Sequence, residues 1–246
     1  SAGNLEQAQI AKMRMICSKL KLEPGMQVLD LGCGWGGLSH WMAEHHGVDV
    51  TGVTVSKEQA QLARERCVGL PVTIGVRDYR ELEGEFDRIV SVGMFEHVGQ
   101  RNYRTFFQKT CSLLKSEGLF LLHTIGASRD GFATDRWIEK YIFPNGVLPP
   151  AQTLAERASA FFTIEDWHNF GADYDPTLMA WHKRFNTAWP QLKAQYGERF
   201  KRMFNYYLLT CAGSFRSREN HLWQVMLAKG RLAGGYRAPR WTASSG

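Results

Sequence analysis

A glycine-rich segment near the start of the chain has the residue types and the spacing of a ligand-binding turn. Asp30 ends a short apolar run, and Gly32, Gly34 and Gly36 then alternate with other residues before a helical pattern begins. Glycine allows a tight turn and lets the backbone approach a bound ligand closely. The segment is therefore typical of a nucleotide-like cofactor site, although a purely structural turn or a dinucleotide loop also fits it.

Polar residues follow the next two apolar runs, where the ribose and base of such a ligand would lie. Many nucleotide-binding sheets carry an acidic residue after the second strand, which binds the ribose hydroxyls. This chain has none there, and Thr54, Ser56 and Gln59 are expected to supply those hydrogen bonds. After the third run, Asp78 is placed to accept a hydrogen bond from an adenine amino group, with Tyr79 beside the ring. A simple helix cap explains Asp78 equally well.

Short apolar runs alternate with helical patterns over the first half of the chain. We expect strands over residues 26–31, 48–55, 71–76, 86–92 and 118–125, and helices over 5–22, 36–46, 57–67 and 102–114. This alternation predicts an α/β fold with a parallel sheet and helices on both faces. Residues 127–190 are rich in Trp, Phe and Pro and are expected to form an insertion of short helices over the sheet. A helix over 198–217 and a strand over 222–228 complete one domain spanning residues 1–246.

The composition supports a single α/β domain with a real core. The chain has 246 residues, of which 44% are hydrophobic, and no run approaches the ~20 apolar residues that span a bilayer. Five cysteines are scattered without paired spacing, which argues against a disulfide framework or a zinc site and favours a reducing, cytoplasmic setting. No metal ion is expected.

The positive charge is concentrated near the end of the sequence. Residues 193–240 contain ten basic and two acidic residues, whereas the whole chain has a net charge of +6. Such a segment indicates an anionic partner, either nucleic acid or an anionic membrane surface, unless it is only a solvated face. The basic residues considered are Lys193, Arg199, Lys201, Arg202, Arg216, Arg218, Arg231, Arg237 and Arg240.

Several longer motifs carry a more specific resemblance. They occupy residues 52–59, 86–99, 121–126, 137–146 and 165–174, with further matches at Trp181 and at residues 200–203 and 211–213. These motifs resemble those of cyclopropane fatty acid synthases over roughly residues 4–230, and the related mycolic acid cyclopropane synthases share the pattern less fully. The resemblance implies a class I, Rossmann-like S-adenosylmethionine-dependent methyltransferase sheet with a helical lipid-binding insertion.

The resemblance also implies which residues form the site. S-adenosylmethionine would be bound by Asp30, Gly32, Gly34, Trp35, Gly36, Thr54, Ser56, Gln59, Asp78 and Tyr79. The family adds a methylene group across a cis double bond of an unsaturated phospholipid chain, and a bound bicarbonate ion is its proposed base. Glu96, His123 and Tyr174 match the catalytic bicarbonate site, with a backbone group at Ile125 as a further ligand. His97, beside Glu96, is a weaker candidate.

The remaining expectations concern the acceptor and the partners. A lipid pocket that faces the cationic intermediate would be lined by Trp137, Tyr141, Phe143, Phe161, Phe162, Trp167, Phe170 and Trp181. The basic segment would dock anionic headgroups, which places the protein at the inner face of the membrane. The family further suggests a homodimer and an N-terminal segment that is absent from this chain.

Two other functional hypotheses stay open at this point. The chain could be a methyltransferase that acts on a small amine, a hydroxyl group or nucleic acid, with the basic segment binding a polyanion. It could also be a non-catalytic lipid-binding module that keeps the cofactor fold. The aromatic insertion and the Glu96, His123 and Tyr174 set favour a lipid acceptor and no nucleic-acid partner.

Overall fold

One mixed sheet organises the part of the chain that the computed structural model describes, residues 4–128 and 135–239. Its seven strands lie in the order β3-β2-β1-β4-β5-β7-β6. They are β1 (Gln27–Leu31), β2 (Asp49–Thr54), β3 (Val72–Val76), β4 (Phe86–Val92), β5 (Leu114–Ala127), β6 (Thr163–Asn169) and β7 (Asn220–Ala228). The first five strands are parallel, and β7 runs antiparallel to both β5 and β6.

Eight α-helices flank or extend this sheet in the described residues. They are α1 (Leu5–Leu20), α2 (Gly37–His46), α3 (Lys57–Arg66), α4 (Tyr103–Leu113), α5 (Arg136–Tyr141), α6 (Ala151–Ser159), α7 (Gly171–Leu192) and α8 (Glu198–Arg216). Short 3-10 turns occupy Tyr79–Glu81, Phe95–His97 and Gln100–Asn102. Within these described ranges, no helix is both long and apolar enough to cross a bilayer.

Local sequence signals account for the helix boundaries. The side chain of Asn4 accepts a hydrogen bond from the Gln7 amide at the start of α1. The Ser56 side chain likewise accepts from the Gln59 amide and caps α3, as its residue type predicts. The parallel sheet with its helices confirms the predicted α/β class.

The structure corrects the expectation that residues 127–190 form only short helices. Residues 163–169 are strand β6 at the edge of the sheet, and residues 171–192 form one helix of 22 residues. The sequence of β6 alternates only weakly between apolar and polar residues, because its buried position is occupied by Asp166. The Asp166 carboxylate forms an ion pair with Lys19 of α1, at 3.5 Å. A charged residue therefore occupies a core position that the sequence pattern could not reveal.

Two apolar layers hold the helices against the sheet and fix the strand ends. One layer packs aromatic side chains of α4 against the sheet, with Phe106 6.1 Å from Phe120 between ring centroids. The other packs Ile16 and Leu20 of α1, together with Met42 of α2, against the opposite face. Because β1, β4 and β5 are parallel neighbours, their carboxyl ends lie at one edge of the sheet, where α/β folds bind ligands.

Candidate active site

The glycine loop follows β1 and has a conformation that requires glycine. Gly32, Gly34 and Gly36 have φ values of +77°, +55° and +75°. A Cβ atom on Gly32 would lie 2.7 Å from Cβ of Met94, and one on Gly36 would lie 2.8 Å from Cβ of Ala63. No atom of the described residues lies within 4 Å of the corresponding position on Gly34, so this part of the loop leaves space for a ligand.

Asp30 anchors the loop from inside the protein. Its buried carboxylate accepts a hydrogen bond of 2.7 Å from the Ser39 hydroxyl of α2. Burial raises the pKa of Asp30 to about 6, and the Ser39 hydrogen bond partly opposes that shift. The contact joins the end of β1 to the helix that follows the glycine loop and thereby fixes the loop between them.

The polar residues after β2 form a connected group at the start of α3. The Thr54 hydroxyl donates to the side-chain oxygen of Gln59 over 2.8 Å and accepts from the Ser56 amide over 3.2 Å. Trp35 is half exposed on the glycine loop. The structure thus orders Thr54, Ser56 and Gln59 as one hydrogen-bonded unit beside the carboxyl end of the sheet.

Asp78 is engaged in the capping role that the sequence left as an alternative. Its carboxylate accepts from the Arg80 amide over 2.9 Å and pairs with the Arg80 guanidinium over 2.6 Å. The Arg80 hydrogen bond holds the pKa of Asp78 below its usual value. Tyr79 packs edge-on against Phe106, with a centroid distance of 5.4 Å, so this turn is braced against the core.

Glu96 is a buried carboxylate at the end of β4. Only 8% of the residue is exposed. Its Oε1 atom accepts a hydrogen bond of 2.7 Å from the Ile125 amide, whereas its buried Oε2 atom has no hydrogen-bond partner among the described residues. Burial raises the pKa of Glu96, although the Ile125 hydrogen bond opposes the shift. A polar ligand with a donor group would satisfy the remaining oxygen.

His123 lies on β5 two residues before Ile125, so the two side chains share one face of the strand. Its Nδ1 atom is 3.2 Å from the side-chain nitrogen of Gln224 on β7. Because an amide nitrogen donates, Nδ1 accepts and the neutral imidazole carries its proton on Nε2. Burial lowers the pKa of His123 to about 3, with smaller contributions from Lys12 and Lys19. His123 is therefore a neutral hydrogen-bond donor at ordinary pH.

Tyr174 belongs to the first turn of α7 and completes the predicted set. Its ring packs against Phe215 of α8 at a centroid distance of 4.7 Å. Burial raises the pKa of Tyr174 to about 12, and the nearby charge of Glu96 adds to the shift. The tyrosine therefore keeps its proton and lies within electrostatic range of Glu96. The fold brings Glu96, Ile125 and Tyr174 into one region, although α7 begins far along the chain.

Two polar residues of this region were missed in the sequence. Tyr103 is fully buried, its hydroxyl has no partner in the described part of the chain, and its ring stacks on Phe95 at 4.4 Å. Burial raises its pKa, and the charge of Glu96 contributes. Gln224, which binds His123, has a side-chain oxygen that is likewise unpartnered there. A polar residue inside the apolar run 222–228 was an available signal for Gln224, whereas nothing marked Tyr103.

The eight predicted pocket aromatics differ in their surroundings. Phe162 packs into the sheet core against Phe120 at 5.9 Å, and Trp167 lies edge-on to Trp223 at 5.1 Å. Phe161 also packs against this core. By contrast, the residues near α8 are partly or largely exposed, namely Trp137, Tyr141, Phe143 and Trp181. Phe170 lies 3.9 Å from the His168 ring. Phe161, Phe162 and Trp167 therefore pack in the sheet core rather than line the predicted lipid pocket, whereas the pocket role of the other five stays a prediction.

The basic residues also differ in their surroundings. Arg216 forms a two-pronged ion pair with Asp175, at 2.8 and 2.9 Å. The Lys201 ammonium lies over the Trp189 ring at 5.4 Å, and Arg240 lies outside the described residues. His97, the weaker catalytic candidate, is exposed, with its ring 6.2 Å from that of Phe143.

Comparison with known proteins identifies the family. The sequence model described as mycolic acid cyclopropane synthetase matches residues 1–225. The chain belongs to this family. The cyclopropane-fatty-acyl-phospholipid synthase of Escherichia coli K12 is 59% identical over 239 residues, which cover 97% of this chain and 62% of that protein. A probable fatty acid methyltransferase of Pseudomonas putida is 36% identical, with 98% and 64% covered. The chain thus spans less than two thirds of the length of these relatives.

Solved structures of cyclopropane synthases share the fold. A cyclopropane synthase from Mycobacterium tuberculosis superposes with a TM-score of 0.86 at 30% identity, covering 92% of this chain and 86% of that one. A mycolic acid cyclopropane synthase in complex with SAH and CTAB gives 0.87 at 32% identity and the same coverage. These similarities confirm the predicted resemblance and the class I methyltransferase fold of this cyclopropane synthase family member.

Proposed function

We propose that this cyclopropane synthase family member is the catalytic part of an S-adenosylmethionine-dependent methyltransferase. Its reaction adds a methylene group across a cis double bond of an unsaturated phospholipid acyl chain. The observation that carries the proposal is Glu96, a buried carboxylate at the same sheet edge as the glycine loop, with one oxygen that no described residue hydrogen-bonds. The E. coli relative, whose name states this type of product, supports the choice of acceptor.

The residues at the carboxyl edge suit the cofactor. The open space over Gly34 admits a ligand close to the backbone. The ribose would be bound by Thr54, Ser56 and Gln59, and the adenine ring would lie beside Tyr79. The Asp78 carboxylate would accept a hydrogen bond from the adenine amino group while it remains paired with Arg80. When bound, S-adenosylmethionine supplies an electrophilic methyl group, whose transfer to an alkene leaves a carbocation on the acyl chain. Trp35, half exposed on the loop, would help to close this cleft.

The Glu96 region suits a bicarbonate ion as the base. The Oε2 atom of Glu96 can accept a hydrogen bond from the O–H of bicarbonate, which removes the repulsion expected between two anions. The Tyr174 hydroxyl and the Nε2–H of His123 are donors that suit the other oxygens. The buried site excludes water, and aromatic rings such as that of Tyr174 stabilise a nearby cation. A base held here is suited to remove a proton from the transferred methyl group.

The location and assembly form part of the same proposal. We infer that the protein works at the inner face of the cytoplasmic membrane, as a homodimer, together with the N-terminal segment that the family suggests. The length of the E. coli relative, of which this chain covers 62%, is consistent with such a segment. The acceptor is then a phospholipid within a bilayer rather than a dissolved small molecule.

The test is methyl transfer from radiolabelled S-adenosylmethionine to vesicles of cis-unsaturated anionic phospholipid. The assay is run with this chain alone and, separately, with this chain plus the part of the E. coli relative that the chain does not cover. A cyclopropane-containing lipid is the expected product, and Glu96→Gln should abolish it while cofactor binding persists. Transfer to an amine, a hydroxyl group or nucleic acid, with no lipid product in any combination, would overturn the proposal in favour of the other methyltransferase hypothesis. Binding of lipid without any transfer would favour the non-catalytic module.

A further inference from the structure

The outer face of α8 has an unusual composition for a surface helix. After Glu198 at its start, its exposed positions follow the helical spacing of three and four, namely Arg199, Arg202, Tyr206, Leu209, Gly213 and Arg216. Tyr206 is 51% exposed and Leu209 is 45% exposed. A solvent-facing stripe normally carries polar residues throughout. Neither Arg199 nor Arg202 forms an ion pair within residues 4–128 and 135–239, so both charges are available to a partner.

Helix α5 extends this face beside α8. The Trp137 ring packs edge-on against Tyr206 at 4.5 Å, and Tyr141 lies 5.5 Å from Trp137. Tyr141 is 41% exposed, with the Lys140 ammonium 5.2 Å from its ring centre. We call this set the aromatic–basic face and define it as Arg136, Lys140, Tyr141, Arg199, Arg202, Tyr206 and Leu209.

The acidic residues on these two helices do not cancel its charge. Glu139 is exposed on α5. Glu198 begins α8 and accepts a hydrogen bond from the Trp189 indole at 3.2 Å. Four cations against these two carboxylates leave the face positive, and its aromatic rings and Leu209 lie among the cations. The face therefore combines charge with apolar area.

A run of contacts connects the aromatic–basic face to the Glu96 site. The Phe143 ring lies 5.8 Å from that of Tyr207, the neighbour of Tyr206 on α8. The same ring lies 6.2 Å from His97, the residue after Glu96. The Val147 amide donates to the Glu96 carbonyl over 2.8 Å, which fixes the segment that carries Phe143 against the site. Phe143 thus lies between α8 and the turn that carries Glu96.

We propose that the aromatic–basic face docks on the surface of an anionic phospholipid bilayer and that an acyl chain passes Phe143 to reach Glu96. Lysine and arginine attract anionic headgroups, and Trp and Tyr rings favour the interface between headgroups and acyl chains. Leu209 reaches the apolar layer from the same face. The inference rests on the proposed lipid acceptor, and it specifies the surface and the entry route.

Vesicle binding tests the docking surface directly. Co-sedimentation with phosphatidylglycerol–phosphatidylethanolamine vesicles at low salt is measured for Arg199→Gln/Arg202→Gln and for Tyr206→Ser/Leu209→Ser. Each interfacial cation strengthens binding about fivefold, so removal of the arginine pair should weaken it about 25-fold. The matched control is Arg231→Gln/Arg237→Gln, which removes two cations of the same basic segment that do not belong to the aromatic–basic face and should weaken binding far less. Equal loss in the control would overturn the surface assignment.

Activity then separates docking from chemistry. The face variants should lose transfer to vesicles but keep transfer to the same phospholipid dispersed in detergent, which would show that they remain folded and active. Glu96→Gln should bind vesicles normally and transfer to neither substrate. Vesicle binding by the unaltered protein without lipid product under any condition would refute the proposed function while the docking surface stands. Unchanged vesicle binding by the face variants would refute docking. If these variants also sediment as a smaller species than the unaltered protein, the face forms a contact between two copies of the chain.

Discussion

Three glycine-to-alanine substitutions separate the effects of backbone strain, steric overlap and lost ligand space on stability and binding. They are made at Gly36 and Gly34 of the glycine loop and at Gly69 outside it. Gly36→Ala introduces a side chain at φ +75°, where a left-handed conformation costs about 1–2 kcal/mol. The new Cβ would also lie 3.0 Å from the backbone Cα of Ala63, and such overpacking costs about 1–3 kcal/mol. The two effects together predict a loss of about 3 kcal/mol, because a backbone atom of α3 cannot move aside as a flexible side chain does.

Two other glycines provide matched references. Gly69 has φ +81° and no atom within 4 Å of the position that a Cβ would take, so Gly69→Ala should show the conformational effect alone, about 1–2 kcal/mol. Gly34 is equally uncrowded but belongs to the loop. Gly34→Ala should therefore match Gly69→Ala in stability and differ from it by weakening the binding of S-adenosylhomocysteine.

Urea unfolding measures the free energies, and titration calorimetry measures the binding. The reasoning is refuted if Gly36→Ala is no less stable than Gly69→Ala, because the contact with Ala63 would then be easily relieved. The assignment of the loop to the cofactor is refuted if Gly34→Ala binds S-adenosylhomocysteine as tightly as the unaltered protein does.

Three further predictions concern buried charge. Glu96→Gln should raise the free energy of unfolding at pH 8 more than at pH 4, since the folded-state pKa of Glu96 is raised and its ionised form is disfavoured; equal gains at both pH values would contradict this. The pKa of His123 is lowered to about 3, so the unfolded chain binds the extra proton and stability should fall below about pH 6.5 by up to about 1.4 kcal/mol per pH unit; His123→Gln should flatten that slope in unfolding measured from about pH 7 to about pH 5. Lys19→Met removes the buried ion pair with Asp166 and should cost about 3–5 kcal/mol. Lys19→Met/Asp166→Leu should recover most of that loss in thermal unfolding, whereas no recovery would show that the ion pair is not the cause.

The helices and strands of the first half of the chain could be predicted because the sequence patterns that specify them are local. Glycine spacing, the Ser56 cap and the apolar runs each act within a few residues, and the structure has the corresponding turn, helix and strands. Strand β6 could not be predicted in this way. Its burial depends on the pairing of Asp166 with Lys19, which lies on the first helix, and on the hydrogen bonds that β7 supplies.

The residues of the candidate site likewise differ in whether local sequence patterns could predict their positions. Glu96 follows a predicted strand and His123 lies on one, so the placement of both near the carboxyl edge of the sheet could be expected from parallel topology. Tyr174 entered only through the family resemblance, because its position depends on how α7 packs against α8. The burial of the Tyr103 hydroxyl is a property of three-dimensional packing and has no counterpart in sequence spacing.

The position of β7 between β5 and β6 has a consequence for the order in which the chain is made. Strand β6 leaves the ribosome before its hydrogen-bonding partner exists, because β7 follows it in the chain. The glycine loop and the strands β1 to β4 all precede β7 in the chain, and domains begin to fold during synthesis. Gln224, which orients His123, arrives with β7. Under the proposed function, the glycine loop that would bind the cofactor is therefore made first, and the surroundings of His123 are completed only after β7 has been synthesised.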